Sequence, residues 1–211
     1  MTDTVASIPG EGTPPELLLA MDTAGRVGSV ALGRTVPREG VEGSPPPGGD
    51  GDSLPAGVEI LARTSLLEDE EHASLLVPRI QALLDELGAA TSELTGLVVG
   101  AGPGSFTGLR VGASTAKGMA RALGVPLWAY SSLAGAAAGV EMDPFRPRCV
   151  LFDARGDRVY VGAFRIIRGV LETLLPPTPA TISEVLEDLI PPGALLMGDG
   201  VVRHQALLES S

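Results

Sequence analysis

Asp22, Thr23 and Asp153 carry polar side chains at the ends of two apolar runs, where they could take part in chemistry. The two aspartates lie in apolar runs, 17–24 and 150–153, that predict buried strands. A carboxylate at a strand end could hold Mg²⁺ through water molecules, because this ion rarely loses its whole hydration shell. No lysine accompanies either aspartate. The alternative is an aspartate that only caps the turn after its strand.

The sequence offers no second residue that would complete a metal site or a nucleophilic site. The position four residues after His72 is Leu76, so two imidazoles do not share one helix face. His204 has no neighbouring ligand, and Cys149 has no CxxC partner, which predicts a small buried side chain. We therefore predict no catalytic residue, no metal site and no cofactor.

A glycine-rich turn, GAGPGSFTGLRVG at 100–112, is the most distinctive segment of the chain. It follows an apolar run at 97–99 that predicts a strand, and it leads into a predicted helix at 109–123. Its N–H groups could bind an anion or a partner's backbone. No Gly-Lys-Ser/Thr closes the turn, which excludes a Walker-type phosphate loop. Tight packing of a helix on a sheet also requires glycine, and the pattern by itself favours this interpretation.

The segments that must position these residues form two similar halves. In the first half, strands are predicted at 17–24, 27–33 and 58–67, a helix at 72–87, and a further strand at 125–133 after the helix at 109–123. In the second half, strands are predicted at 150–153, 158–167 and 169–175, a helix at 182–189, and a strand with a Gly-Asp-Gly turn at 194–200. The halves 16–142 and 143–211 thus mirror each other in the order strand, Asp-containing turn, strand and helix.

Two segments are predicted to lie outside the core. Residues 1–15 carry Pro, Gly and Thr without periodicity, which predicts a flexible tail. Residues 37–57, between the second and third strands, include eleven Pro or Gly residues among twenty-one. This composition predicts a disordered insertion that contributes nothing to the core.

Charge and composition limit the partners and the compartment. Twenty-six acidic residues against fifteen Lys and Arg give a net charge of −11, which repels a polyphosphate. We predict no direct binding of nucleic acid by the chain alone. A single cysteine suits a reducing compartment, and the sequence has no signal peptide and no apolar run of the length that spans a membrane. These features predict a cytoplasmic protein without a membrane segment.

The two long predicted helices carry more apolar and small-residue surface than one face of a sheet requires. On helix 72–87 a second stripe adjoins the core stripe, and on helix 109–123 small residues recur at close spacing, which lets another helix approach. Packing on the chain's own sheet is the alternative for each residue. We predict a partner interface formed by Leu75, Arg79, Ala82, Arg110, Ala113, Ala116, Lys117 and Ala120.

The order of residues in the glycine-rich turn is more specific than its glycine content. GPGSFTGLRVG closely resembles the signature of the bacterial TsaB (YeaZ) family. Three further segments agree in the same order. Residues 18–24 are similar to the family's opening strand, 71–78 to its first helix and 153–160 to the turn that begins its second half. The resemblance covers about residues 16–210, with one insertion.

The resemblance implies an α/β, actin-like (ribonuclease H-like) fold with two similar lobes. It also implies a non-catalytic scaffold that pairs with the transferase TsaD and is joined by the ATPase TsaE. TsaD would then transfer threonylcarbamoyl to the adenosine beside the anticodon of tRNA. A homodimer is an alternative pairing. Asp22, Thr23 and Asp153 stand where active actin-like proteins contact nucleotide phosphates.

Two other functions stay open at this stage. A metal-dependent, glycoprotease-like hydrolase would require a second ligand besides His72, and an independent nucleotide-binding switch would rest on Asp22 and Asp153. The chain departs from the family pattern in the length of its 37–57 segment. It also ends soon after 198–200, which implies a clipped terminus or an incomplete second lobe.

Overall fold

The computed structural model describes residues 16–36, 57–66, 72–140, 145–167 and 170–209. The predicted tail, the predicted insertion up to residue 56 and the predicted boundary between the lobes lie outside these residues. The strands are β1 (Leu17–Asp22), β2 (Gly28–Val36), β3 (Gly57–Leu66), β4 (Leu94–Gly100), β5 (Leu127–Tyr130), β6 (Arg148–Asp153), β7 (Arg158–Ile167), β8 (Val170–Thr181) and β9 (Leu195–Met197). The helices are α1 (His72–Leu87), α2 (Phe106–Leu123), α3 (Ser132–Ala138), α4 (Ile182–Glu184), α5 (Asp199–Arg203) and α6 (Gln205–Glu209).

The first five strands form one sheet in the order β3-β2-β1-β4-β5. β1, β2 and β3 form an antiparallel meander, whereas β4 and β5 run parallel to β1. Parallel neighbours need crossover connections, and α1 and α2 supply them. Both helices contact this sheet. The core between helices and sheet includes Leu19, Leu76, Leu84 and Leu97.

The second sheet has the order β8-β7-β6-β9 and repeats the first four positions of the first sheet. β6, β7 and β8 are antiparallel, and β9 is parallel to β6. Alternate residues of β6 enter two different cores: Cys149 and Leu151 pack in one, and Val150 packs with Leu133 and Phe164 in the other. The predicted repeat of one topology in two halves is therefore confirmed.

Several predicted boundaries agree with the structure, and α2 shows why others moved. The predicted ranges for α1 and β7 coincide with the observed ones. α2 begins at Phe106, three residues before the predicted start, because the Ser105 side chain accepts a hydrogen bond from the N–H of Gly108 at 3.2 Å and caps the first turn. The helix ends at Leu123, and Gly124 after it has a φ of 69°, which favours glycine.

Several predicted strand ends differ from the structure. The strand predicted at 125–133 is the shorter β5, and α3 already begins at Ser132. β8 continues beyond residue 175 to Thr181 and includes Pro176, Pro177 and Pro179, which an edge strand tolerates because its outer N–H groups need no partner. The predicted helix at 182–189 has the predicted bounds, although only its first turn is α-helical and the rest is a π-helical turn. The segment predicted as strand and turn at 194–200 instead ends in α5.

Candidate functional site

Asp22 lies at the end of β1, and its carboxylate forms hydrogen bonds with residues of the first lobe. Its Oδ1 accepts a hydrogen bond from the N–H of Ala24 at 2.8 Å, and its side chain also hydrogen-bonds with Tyr130 and Ser132. Gly100 faces the same carboxylate so closely that an added Cβ would overlap it. Burial raises the pKa of Asp22 above its ordinary value, although the three hydrogen bonds act in the opposite direction.

Thr23 is buried and joins the end of β1 to the start of α2. Its hydroxyl donates to the carbonyl oxygen of Gly108 at 2.7 Å. A Cβ on Gly108 would overlap the carbonyl oxygen of Thr23, and a Cβ on Gly112 would lie 2.5 Å from the Thr23 hydroxyl. Two glycines of the distinctive turn and helix are therefore required by the close approach of one buried residue.

Four N–H groups of the glycine-rich turn donate hydrogen bonds within the protein. The N–H groups of four turn residues donate as follows: Ala101 to the Tyr130 carbonyl (2.8 Å), Gly102 to the Ser132 hydroxyl (3.0 Å), Ser105 to the Ala24 carbonyl (2.7 Å) and Gly108 to the Ser105 hydroxyl (3.2 Å). These donors are not available to an anion. These contacts support the packing interpretation of the turn, because they tie it to the segment after β1 and to residues 130 and 132.

Asp153 repeats the geometry of Asp22 at the end of β6. Its Oδ1 accepts from the N–H of Arg155 at 2.9 Å, two residues later, as Asp22 does from Ala24. Its Oδ2 accepts from Arg203 Nη1 at 3.1 Å. Each aspartate therefore caps the turn after its strand, which was the alternative to phosphate binding. The nucleotide-binding role of Asp22, Thr23 and Asp153 stays a prediction.

Asp199 connects the two lobes and was not identified as a site residue from the sequence. Its Oδ1 accepts from the N–H of Asp153 at 2.8 Å, and its Oδ2 accepts from the N–H of Arg26 at 3.0 Å. One carboxylate thus bridges the turns that follow β6 and β1. The only sequence signal was the Gly-Asp-Gly segment, whose flanking glycines approach the backbone of Leu151 closely.

A cleft of about 390 Å³ lies between the lobes beside Asp199. Its lining consists of Gly25, Arg26, Val27, Ala136, Phe152, Gly198, Asp199 and Val202. The side chains of Val27 and Val202 are largely exposed there. The described lining does not include Asp22, Thr23 or Asp153, so the structure does not bring the three predicted nucleotide-binding residues together in this cleft.

In the part of the chain that the structure describes, no group of three or more His, Cys, Asp or Glu side chains could hold a metal ion. The side chain of His72 lies outside the description. His204 is buried in the second lobe. Cys149 is buried as predicted, and burial raises the pKa of its thiol to about 11, so the reactive thiolate is scarce at neutral pH.

The predicted partner interface divides into surface and core positions. Ala82, Arg110 and Lys117 are exposed, and Leu75, Arg79 and Ala113 are half-buried. Ala116 and Ala120 instead lie in the core of the first lobe. They belong to the side of α2 that packs on the chain's own sheet, so the surface available to a partner lacks these two side chains.

Among the described residues, no helix is both long enough and apolar enough to cross a membrane.

Two sheets that share one strand order, each with helices on it, define a two-lobed α/β protein of the actin-like class. The family model described as "TsaD: tRNA N6-adenosine threonylcarbamoyltransferase" matches residues 60–202. The chain belongs to this family, and its relatives place it in the TsaB (YeaZ) branch.

The relatives carry that name in several bacteria. The chain is 33% identical over 143 residues to the tRNA threonylcarbamoyladenosine biosynthesis protein TsaB of Bacillus subtilis (strain 168), which is 66% of this chain and 62% of that protein. It is 34% identical over 91 residues to TsaB of Escherichia coli (strain K12), 43% of this chain and 39% of that protein. The chain thus spans less than two thirds of the length of these relatives.

A solved structure agrees with these relatives over most of the chain. YeaZ from Pseudomonas aeruginosa superimposes with a TM-score of 0.64 at 27% sequence identity, over 90% of this chain and 79% of that one. The predicted family and fold class are confirmed.

Proposed function

We propose that this chain is a non-catalytic subunit in the formation of N6-threonylcarbamoyladenosine in tRNA, and that it pairs with a TsaD protein, with TsaE as a further component. The relatives named for biosynthesis of this nucleoside support the process. The match to the transferase family supports pairing between chains of one fold.

The observation that supports the non-catalytic role is the packing of the glycine-rich turn against Thr23 and Ala24. Phosphate binding at a strand-to-helix turn needs several free N–H groups that point at one place. Here the N–H of Ser105 donates to Ala24, and the Thr23 hydroxyl holds the first turn of α2 through Gly108. The turn therefore serves packing, and it fixes α2 firmly relative to β1. A helix that is held in this way is a suitable support for a protein partner.

The proposed partner face consists of the surface residues of α1 and α2, which we define as Leu75, Arg79, Ala82, Arg110, Ala113 and Lys117. Ala82 and Ala113 are small, so a partner helix can come close to the backbone at these positions. The face is carried by two helices that contact each other and rest on the first sheet, which makes it a preformed surface. Binding to a preformed surface costs less conformational entropy than binding to a loop.

Reconstitution of the modification tests this function. The full chain, the cognate TsaD and TsaE, unmodified tRNA and a threonylcarbamoyl donor are combined, and the modified nucleoside is quantified by mass spectrometry after digestion of the tRNA. We expect no product from this chain alone and a large loss of product when it is omitted from the mixture. Product formed by this chain alone would contradict the proposal.

The variant Asp153→Asn separates a scaffold from a nucleotide-binding switch. The substitution keeps the size of the side chain and removes its charge, and a scaffold does not need that charge. We expect Asp153→Asn to support the modification as well as the native chain does, with circular dichroism as the folding control. A folded variant that no longer supports the modification would favour the nucleotide-binding alternative.

A further inference from the structure

The short helix α3 belongs to the first half of the chain but packs on the second sheet. It contacts β6, β7 and β8, and its side chains Leu133 and Ala137 are buried with Val150 and Phe164 in one core. The sequence of the helix, SLAGAAA, contains one large apolar side chain. Docking of α3 on the second sheet therefore buries little apolar surface, and its apolar stabilisation is small.

The first turn of α3 holds the glycine-rich turn and Asp22. The Ser132 hydroxyl accepts a hydrogen bond from the N–H of Gly102 at 3.0 Å, and the N–H of Ser132 donates to the carbonyl oxygen of Gly102 at 2.9 Å. The side chain of Ser132 also hydrogen-bonds with the Asp22 carboxylate. Tyr130 packs so closely on Gly135 that a Cβ there would overlap the ring. α3 therefore connects the second sheet with the glycine-rich turn.

Arg148, the first residue of β6, is a buried cation beside the other end of α3. Only 2% of the residue is exposed. It shares the side of β6 on which Val150 packs with α3, because side chains alternate along a strand. Its Nη2 donates to the carbonyl oxygen of Val140 at 3.2 Å, just beyond the C-cap residue Gly139. Arg148 thus binds the chain where α3 ends, and carbonyl groups at that end of a helix carry partial negative charge.

The guanidinium group of Arg148 is incompletely satisfied in this position. Among the described residues, its buried Nε and Nη1 atoms have no hydrogen-bond partner, and no carboxylate pairs with it. If α3 left the sheet, this side of β6 would become accessible to water, which would satisfy all N–H groups of the side chain. Burial of a cation without such partners is unfavourable. Arginine at this position therefore lowers the stability of the docked helix.

We propose that α3 leaves the second sheet as one unit, together with its hydrogen bonds to Gly102, and that the buried cation of Arg148 limits the stability of the docked state. In the docked state, α3 occupies the N–H of Gly102 and contacts the Asp22 carboxylate, and release of α3 makes both groups accessible. The inference goes beyond the proposed function, because it concerns a motion within the chain. Segments with few buried apolar contacts open at a lower free energy than the core does.

Native-state hydrogen exchange of the full chain, measured for each residue by NMR spectroscopy, tests whether α3 opens separately from the core. The three reporters are the amides of Gly102, Ser132 and Gly135, which hydrogen-bond within α3 or between α3 and the glycine-rich turn. The reference is the amide of Leu97, which donates to the Pro126 carbonyl oxygen at 3.0 Å before β5. We expect the reporters to share one protection factor, at least about tenfold below that of Leu97.

Two outcomes of this measurement would overturn the proposal. Equal protection of the reporters and Leu97 would mean that α3 opens only when the whole protein unfolds. Different protection factors among the three reporters would mean that α3 and the glycine-rich turn do not open as one unit. This comparison uses the native chain alone, so it does not depend on the folding of any variant.

The variant Arg148→Met tests the effect of the buried cation. Methionine keeps an unbranched side chain and removes the charge, so we expect the protection factors of the three reporters to rise by at least about fivefold. The matched control is Arg146→Met, because Arg146 is exposed and its Nε also donates to a carbonyl oxygen, that of Gly193, at 3.0 Å. The control should leave the reporters within about twofold of the native chain. Lower protection in Arg148→Met would show that Arg148 holds α3 in place, which would overturn the proposal.

The variant Arg148→Lys separates the charge of this side chain from its shape. Lysine keeps a positive charge at the buried position, so we expect no rise in the protection of the three reporters. Circular dichroism checks that each variant is folded. If lysine and methionine raised the protection factors equally, the shape of the arginine side chain would limit docking, and the role assigned to its charge would be wrong.

Discussion

The hydroxyl of Thr23 donates a 2.7 Å hydrogen bond to the carbonyl oxygen of Gly108, which lies 85 positions later in the chain. This contact joins the end of the central strand β1 to the first turn of α2, and both groups are buried. It accounts for two glycines of the family signature, because side chains at Gly108 and Gly112 would collide with Thr23. The signature therefore marks a packing contact that fixes a helix on a sheet.

Gly108→Ala should destabilise the protein, because the added Cβ overlaps the Thr23 carbonyl oxygen. Overpacking of a buried site costs about 1–3 kcal/mol in the free energy of unfolding. The matched control is Gly118→Ala on the exposed side of the same helix, where a Cβ meets nothing within 4 Å. The control should stabilise by about 0.5–1 kcal/mol, because alanine favours helix more than glycine does. Urea denaturation measures both, and equal effects would contradict the packing role.

The buried carboxyl of Asp22 should make stability depend on pH. Its pKa is raised in the folded state, so the folded protein binds this proton more tightly than the unfolded chain does. Its contribution is therefore fully present below the unfolded pKa of about 3.9 and is lost as pH rises through the folded pKa. Asp22→Asn removes this titration.

The measurement for Asp22 is the free energy of unfolding of both proteins across this pH range. We expect the native chain to lose stability relative to Asp22→Asn as pH rises above about 3.9. The variant Glu93→Gln, which alters an exposed carboxylate far from Asp22, is the control. A constant difference between Asp22→Asn and the native chain would mean that Asp22 does not titrate within the fold in this way.

Cys149 should not react with thiol reagents in the folded protein. Its side chain is fully buried, and burial raises its pKa to about 11. Since the thiolate is the reacting species, the native chain should remain unlabelled by Ellman's reagent at about pH 8, whereas the unfolded chain should release one equivalent. The chain has a single cysteine, so the signal has one source. Rapid labelling without denaturant would contradict the burial of this residue.

Asp199→Ala should loosen the connection between the lobes. The variant removes the acceptor for the N–H groups of Arg26 and Asp153. We expect faster hydrogen exchange at both amides, by about fivefold, since a single hydrogen bond contributes about 1 kcal/mol. Asp85→Ala is the control, because Asp85 bonds to the side chain of Gln81 and to neither amide. Unchanged protection at Arg26 would mean that the bridge does not hold the lobes.

Much of the fold could be predicted from local sequence pattern. The ranges of α1 and β7 agree with the prediction because apolar residues recur along each segment with the period of its own secondary structure. The two-lobed plan was also predictable, since the second half repeats the order of strands of the first. β8 was predicted too short, and its three prolines are acceptable because the strand lies at the edge of the sheet.

The sequence by itself determined the family and the residues around which the site is built, because the signature turn and the strand ends are continuous segments. The tertiary structure decided what those residues do. Thr23 and Gly108 meet only because β1 and β4 are neighbours in the sheet. Ala116 and Ala120 belong to the core because α2 turns that side to its own sheet, and Asp199 reaches Arg26 because the two lobes meet there. Local periodicity gives the faces of an element, but contacts between distant segments depend on how the elements pack.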